Sequence, residues 1–426
     1  MILFVHPDSK MMLRPILPMS LPAVINRIEE PVSGRYHDEW TKKEVAGVDI
    51  IVMDIHWFSA IKSAIKLSHR FKAINPEAKV IAGGVSASVF RHQILRDSKI
   101  DYIIRGDGDI PLAALIKALR DGSDLRQAPN LVAREWESEK TYVLTREDFD
   151  QNNYQDISFF PSLKRDLDRL HKQSHHRAYP TYPYLMAARG CSLHCEHCYG
   201  APKNQKRIFN RNLVMRSPEK VKADISAWSE NPEIAYMSTF IDFVGPMPLD
   251  YSKAVLDRKY NLFVAWDIVT LPSEEALSLL MQSFSGGLVQ FSIDQKHASS
   301  TELQIQDRLI SCIKQVQATT KYDVRVCYAQ RLISSSPQYG EALQSVQKAT
   351  GCTLSRADTW WYTDLDPGPD GACTEAQYQQ SLRDTNRHTL WNAAYRIGIS
   401  LHGWFPKLAE RCANMVISNV GDSFAA

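Results

Sequence analysis

Through the first 125 residues short apolar runs alternate with helical stretches, the pattern of a parallel sheet covered by helices. Ile2 to Val5 reads as a first strand and Asp49 to Met53 as a buried one. Ala60 to Phe71 follows with Ile61, Ala64, Ile65, Leu67 and Phe71 close to a helical period, until Pro76 breaks it. Lys79 to Ala82 is a third strand ending in Gly83-Gly84, Phe90 to Arg96 a helix, Tyr102 to Ile104 a fourth strand and Leu112 to Leu119 another helix. Ligands of open parallel sheets sit beyond the carboxyl ends of the strands, so the turns there form the expected ligand rim.

From about Asp121 to Pro183 the pattern weakens, and Pro129, Asn152-Asn153, Pro161 and the charged stretch Leu163 to Arg177 predict a linker. A second alternation begins at Tyr184. Strands are expected near Tyr184 to Ala188, Ala235 to Phe243, Leu262 to Trp266, Leu288 to Ile293, Val324 to Gln330 and Ala357 to Tyr362. Helices are expected near Pro218 to Ser229, Ser273 to Ser283, Glu302 to Thr319 and Tyr339 to Ala349. Six strands joined by helical crossovers imply an incomplete β/α barrel. The expected organisation is α/β, with a Rossmann-like domain over 1–125, a linker over 126–183, a partial (β/α)6 barrel over 184–365 and a short C-terminal cap over 366–426.

Composition narrows the function classes. The 50 Lys and Arg against 48 Asp and Glu leave a net charge of +2, so no global field draws the chain to nucleic acid or a membrane surface. No apolar run reaches the roughly 18 residues of a membrane span, and the N-terminus lacks the basic and apolar regions of a signal peptide, so the expected location is cytoplasmic. In that compartment eight cysteines are read as reduced thiols, and a tight cluster of them as a metal or catalytic site.

One such cluster occurs. Residues 189–200 run Arg-Gly-Cys-Ser-Leu-His-Cys-Glu-His-Cys-Tyr-Gly, placing Cys191, Cys195 and Cys198 at C-x3-C-x2-C directly after a predicted strand. A closed zinc site wants a fourth ligand, and neither His194 nor His197 continues a recognised zinc spacing. Three thiolates on an iron-sulfur cube leave one iron open to a ligand that can accept an electron. With this spacing the sequence resembles the radical S-adenosylmethionine (SAM) superfamily, in which an aromatic residue precedes the last cysteine; His197 stands there. The resemblance implies a 4Fe-4S cluster on Cys191, Cys195 and Cys198, with SAM on the open iron. It also implies SAM contacts at later strand ends, where Asp242, Ser292, Asp294 and Gln330 lie. The Gly-Gly-Glu run that often follows the cluster in the family is not evident.

The stretch from Ala78 to Leu115 resembles the cobalamin (B12)-binding domain that precedes the barrel in one subgroup of that superfamily. It carries Gly83-Gly84 with Ser86 after one strand and Arg105-Gly106-Asp107-Gly108-Asp109 after the next. Gly83, Gly84, Gly106 and Gly108 would let a large flat ligand approach the backbone, and the helix start beside Asp109 can hold a phosphate. Trp57 would pack on the corrin or cap the core. Asp54-Ile55-His56 imitates part of a cobalt-ligating motif, but Ser59 replaces its glycine and it follows the wrong strand, so His56 reads as a rim residue.

The resemblance implies an enzyme using cluster, SAM and cobalamin to methylate an unactivated carbon of a small biosynthetic intermediate, with an external electron donor of flavodoxin or ferredoxin type and no nucleic-acid or membrane partner. Alternative outcomes are a rearrangement or ring closure, transfer of a 3-amino-3-carboxypropyl group, or a non-catalytic cobalamin or SAM sensor. Cys312 and Cys327 read as buried hydrophobes, while Cys352, Cys373 and Cys412 fit no motif.

Overall fold

The computed structural model describes residues 1–8, 20–163, 165, 183–192, 201–232, 234, 236–239, 248–292, 302–328, 337–356 and 367–385. They divide between two compact units, one spanning Met1–Asp168, Ala188–Met215 and Trp361–Arg396, the other Arg169–Ala187, Arg216–Trp360 and Ile397–Ala426.

The first unit holds β1 (Ile2–His6), β2 (Val32–Tyr36), β3 (Ile50–Asp54), β4 (Lys79–Gly83), β5 (Tyr102–Ile104) and β6 (Leu131–Val132). They form one sheet in the order β2-β1-β3-β4-β5-β6, parallel except for β6. β1 and β3 are buried at all five positions, the result of helices covering both faces of a parallel sheet, and this is why they read as unbroken apolar runs. The helix Ile61–Ile74 turns Ile61, Ala64, Leu67 and Phe71 onto that core. Fourteen residues are enough for this stripe to hold a helix that propensity alone would leave marginal.

β2 was not expected. It is an edge strand with mixed burial and a glycine, Gly34, whose missing side chain admits Phe160: a Cβ there would stand 2.8 Å from Phe160 Cγ. Phe159 and Phe160 belong to the stretch expected as linker, yet both are buried against Phe4, and the Phe159 carbonyl accepts the Gly34 amide at 2.5 Å. The described part of 126–163 therefore packs within the first unit. So do residues 367–385, expected in the cap: the Cys373 amide donates to Val89 O at 2.8 Å, and Tyr378 donates to Asp97 at 3.0 Å.

The second unit holds β7 (Tyr184–Leu185), β10 (Tyr236–Thr239), β11 (Phe263–Ile268), β12 (Gly286–Ser292), β13 (Tyr322–Tyr328) and β14 (Thr353–Arg356). They pair in chain order and all in parallel, the winding expected of repeated β/α units. The sixth strand is Thr353–Arg356; Ala357 to Tyr362, where one was expected, lies outside the described residues. The helices Pro218–Glu230, Glu274–Ser283, Glu302–Gln317 and Pro337–Thr350 stand between the strands as anticipated. The expected strand from Tyr184 ends early. Ala188–Arg189 (β8) pairs antiparallel with Val214–Met215 (β9) as a separate ribbon counted with the first unit, and Cys191 lies just beyond it.

Candidate functional site

In the order β2-β1-β3 the chain reverses direction across the sheet, which opens a crevice at the carboxyl ends of β1 and β3. His6 ends β1 and Asp54 ends β3, both buried, with Nδ1 3.9 Å from Oδ2. Asp54 Oδ2 has no hydrogen-bond partner among the described residues, and a buried oxygen of that kind calls for a ligand, a water or a proton. Burial pushes the Asp54 carboxyl up to about 8. Part of His56 faces outward, yet it lies deep enough for desolvation to lower its imidazole to about 4. At neutral pH this rim therefore presents a protonated acid and an uncharged imidazole. Trp57 lies edge-to-face on His56, ring centroids 4.4 Å apart.

The two buried groups give a specific pH response. Against unfolded values of 3.8 and 6.5, folding raises Asp54 and lowers His56. Between roughly pH 4 and 6.5 the folded pair carries one proton, on Asp54, and the unfolded pair also carries one, on the histidine, so stability does not change. From 6.5 to about 8 the folded state holds one proton more, and stability falls with rising pH by about 2 kcal/mol in all. Urea unfolding of the cofactor-free chain at these pH values should show that decline, and Asp54→Asn should abolish it; an equal decline in the variant would assign it to other groups.

The expected glycine contacts separate. Gly84, at φ +100, has no room for a side chain: a Cβ would sit 2.7 Å from His56 N and 2.8 Å from Ile55 C. Its space is filled by the neighbouring loop. Gly83 has only Ile104 O within reach, at 3.9 Å, and stays open to an approaching ligand. Ser86 is buried and its hydroxyl donates to His56 O at 3.0 Å, tying the turn after β4 to the turn after β3. Gly106 adopts φ +72 and its amide donates to Ser88 Oγ at 2.9 Å; Gly108 packs on Val24.

Asp109, expected at the cofactor, is fully buried and faces Arg189 instead. Arg189 Nη1 lies 2.5 Å from Oδ2 and Nη2 2.9 Å from Oδ1, a two-point contact, and Asn152 Nδ2 donates to Oδ1 at 2.7 Å. Burial alone would raise this carboxyl, but the Arg189 charge and hydrogen bonds outweigh it and hold it below the usual carboxylate range. Asp107 pairs likewise with Arg211, through Nε at 2.7 Å and Nη2 at 3.2 Å. Arg189, Arg211, Asp107 and Asn152 were not anticipated. The partners stand 80 and 104 residues apart in the chain, so no local signal joins them.

Among the described cysteines Cys191 alone keeps part of its surface exposed, while Cys312, Cys327, Cys352 and Cys373 are buried. Cys191 follows Gly190, held at φ +92. A partly open thiol on a tight turn suits metal ligation; the buried four are packed as small hydrophobes. Ser292 is the last residue of β12, paired in register with Cys327. Cys195, His197, Cys198, Asp242, Asp294, Gln330 and Cys412 lie outside the described residues. Among the described residues no helix is long and apolar enough to cross a membrane.

Residues 41–116 match the family described as B12 binding domain. The fold is similar to that of the radical S-adenosylmethionine methyltransferase TsrM from Kitasatospora setae, solved with cobalamin and a 4Fe-4S cluster bound, at 14% identity over 87% of this chain and 73% of that one, TM-score 0.57. TsrM with tryptophan substrate and the SAM analog aza-SAM bound matches at 14% identity over 77% of this chain and 67% of that one, TM-score 0.55. OxsB, a cobalamin-dependent S-adenosylmethionine radical enzyme solved with aqua-cobalamin, matches at 14% identity over 91% of this chain and 56% of its own, TM-score 0.59. This chain thus spans little more than half of OxsB. At such identities the likeness is one of fold. Curated protein sequences contain no significant match.

Proposed function

We propose that the chain is a cobalamin-dependent radical SAM enzyme that methylates an unactivated carbon of a small biosynthetic intermediate. One observation carries the reading: a sheet matching the B12 binding domain and the loop that opens C-x3-C-x2-C are joined inside one compact unit. The cofactors fit what surrounds them. The crevice at β1 and β3 offers a buried acid lacking a hydrogen-bond partner among the described residues, and Cys191 offers a partly open thiol.

Cys191, Cys195 and Cys198 would hold the cluster, and His197, Asp242, Ser292, Asp294 and Gln330 are assigned to SAM. When bound, cluster and SAM supply a carbon radical by reductive cleavage, and cobalamin supplies the methyl group. In the cobalamin set, Trp57 and Gly83 keep a surface to offer, and protonated Asp54 can donate to an uncharged acceptor such as a corrin amide. Gly84, Ser86 and Asp109 support the turns around them, while Gly106 and Gly108 shape the loop after β5. An external flavodoxin- or ferredoxin-type protein would bring the electron.

The test needs no substrate. Reconstituted, reduced protein given hydroxocobalamin and SAM carrying a 13C methyl group should form labelled methylcobalamin; intact SAM and unlabelled cobalamin would contradict the proposal and favour a sensor. Once a substrate is found, a mass gain of one CH2 marks methylation. An unchanged mass marks rearrangement, and a larger gain marks transfer of the aminocarboxypropyl group.

A further inference from the structure

We infer that Arg189 and Arg211, clamped by Asp107 and Asp109 of the loop after β5, are positioning residues that set the backbone of the cluster ligand Cys191. The inference rests on the reading of Cys191 as a ligand. All four charged side chains are buried, at 7% exposure or less. They form one connected set, since Arg189 Nη1 also lies 3.5 Å from Asp107 Oδ1. The set holds Arg189 at two points. Its guanidinium is gripped by Asp109 and contacts Tyr154 Oη at 3.3 Å, and its own carbonyl accepts Arg211 Nη1 at 3.1 Å. That carbonyl begins the peptide to Gly190, and a Cβ at Gly190 would stand 3.1 Å from Arg211 Nη1 and 3.2 Å from Leu213 Cα. Only Gly190 separates the clamped residue from Cys191, so the thiol can wander no further than about 7 Å of chain allows.

A further layer fixes the clamp itself. Asn152 binds Asp109 and is bound in turn by Arg27 Nε at 3.0 Å, and Asn130 Nδ2 lies 3.4 Å from Asp107 O. Two buried arginine-carboxylate pairs are more than packing requires, because apolar groups of the same volume are often as stable. What the pairs add is orientation: planar forks accept one geometry, and apolar side chains accept several. Their charges sum to zero, so the contribution to the cluster loop is geometric. Groups that orient metal ligands from behind typically change metal retention tenfold or more when removed.

The experiment compares wild type, Asp109→Asn, the double variant Arg189→Met with Asp109→Leu, and Arg189→Lys. Each is anaerobically reconstituted, then challenged with an iron chelator, with iron release and the electron paramagnetic resonance spectrum of the reduced cluster recorded beside the thermal midpoint. Asp109→Asn takes the two-point carboxylate from a buried guanidinium, leaving it only the longer contact to Asp107, and should lose both stability and iron. The double variant removes both charges, so its midpoint should return towards wild type while iron release stays at least about tenfold faster, with a broadened spectrum. Arg189→Lys keeps the charge pair without the fork and should shift release the same way by less, which preserves the test if the double variant does not fold. Wild-type release and spectrum in a folded double or lysine variant would overturn the inference. A wild-type chain that takes up no iron would instead remove the reading of Cys191 on which it stands.

Discussion

Cys191→Ser leaves reconstituted protein with fewer than one iron per chain in place of about four, and with no reductive cleavage of SAM. A serine hydroxyl does not ionise near neutral pH and is a hard, poor donor to iron, whereas the cysteine thiolate is the preferred ligand of iron-sulfur clusters. Position matters as much as chemistry. Cys191 is the described cysteine with open surface, on a turn whose preceding residue is locked by Asp109 and Arg211. The controls are the buried thiols: Cys373→Ser and Cys352→Ser should retain iron and lose only modest stability, because each loses a small hydrophobe in the core. Iron and sulfide analysis of the three variants checks this, and equal iron in Cys191→Ser and wild type would remove the cysteine from the site.

Gly84→Ala should destabilise the first unit by about 3 kcal/mol or more and abolish cobalamin binding, while Gly83→Ala should fold normally. Two independent penalties meet at Gly84. Its φ of +100 is unfavourable for any residue with a Cβ, and that Cβ would press on the main chain of Ile55 and His56, which cannot swing away as a side chain end could. The damage would reach Asp54, whose Oδ1 lies 2.8 Å from the same point, and so the crevice at β1 and β3. Gly83 meets neither penalty, so a loss of cobalamin affinity in Gly83→Ala at unchanged stability would mark it as a place where the ligand comes close. Urea unfolding and cobalamin titration of both variants separate packing from binding. Normal folding of Gly84→Ala would show that the two turns can part without harm.

The elements legible in the sequence were those whose burial is symmetrical. β1, β3 and β4 lie inside the sheet, paired on both edges, so apolar runs fill all but their end positions, and the helix Ile61–Ile74 carries a single apolar stripe. β2 escaped because an edge strand need be apolar only where something covers it, and Val-Ser-Gly-Arg-Tyr is covered in part by Phe160, 124 positions beyond Tyr36 in the chain. β6 has two residues and no periodicity to read. The aromatic pair Phe159-Phe160, between polar and proline residues, gave no sign that it fills a groove left by Gly34.

The site was legible where chemistry is written locally. Three cysteines within eight residues announce a metal whatever the fold, and Gly84 announced a tight turn, though the neighbour it admits is a backbone segment in place of the expected ligand. Within the loop Arg105 to Asp109, Asp109 was expected at the cofactor because an aspartate among glycines beside a helix start has the composition of a ligand loop. The loop's acids are used inside the protein, and only the fold brings Arg189 and Arg211 to them. Asp54 and His6 likewise become a pair only when β1 and β3 lie side by side.

The proposed chemistry requires one chain to hold both an iron-sulfur cluster and cobalamin. Anaerobic reconstitution with iron, sulfide and hydroxocobalamin, followed by counting iron, sulfide and cobalt per chain, tests it most directly. About four irons, about four sulfides and one cobalt are expected. Four irons without cobalt would contradict the cobalamin half and bring rearrangement or fragment transfer forward; zinc in place of iron would contradict the whole.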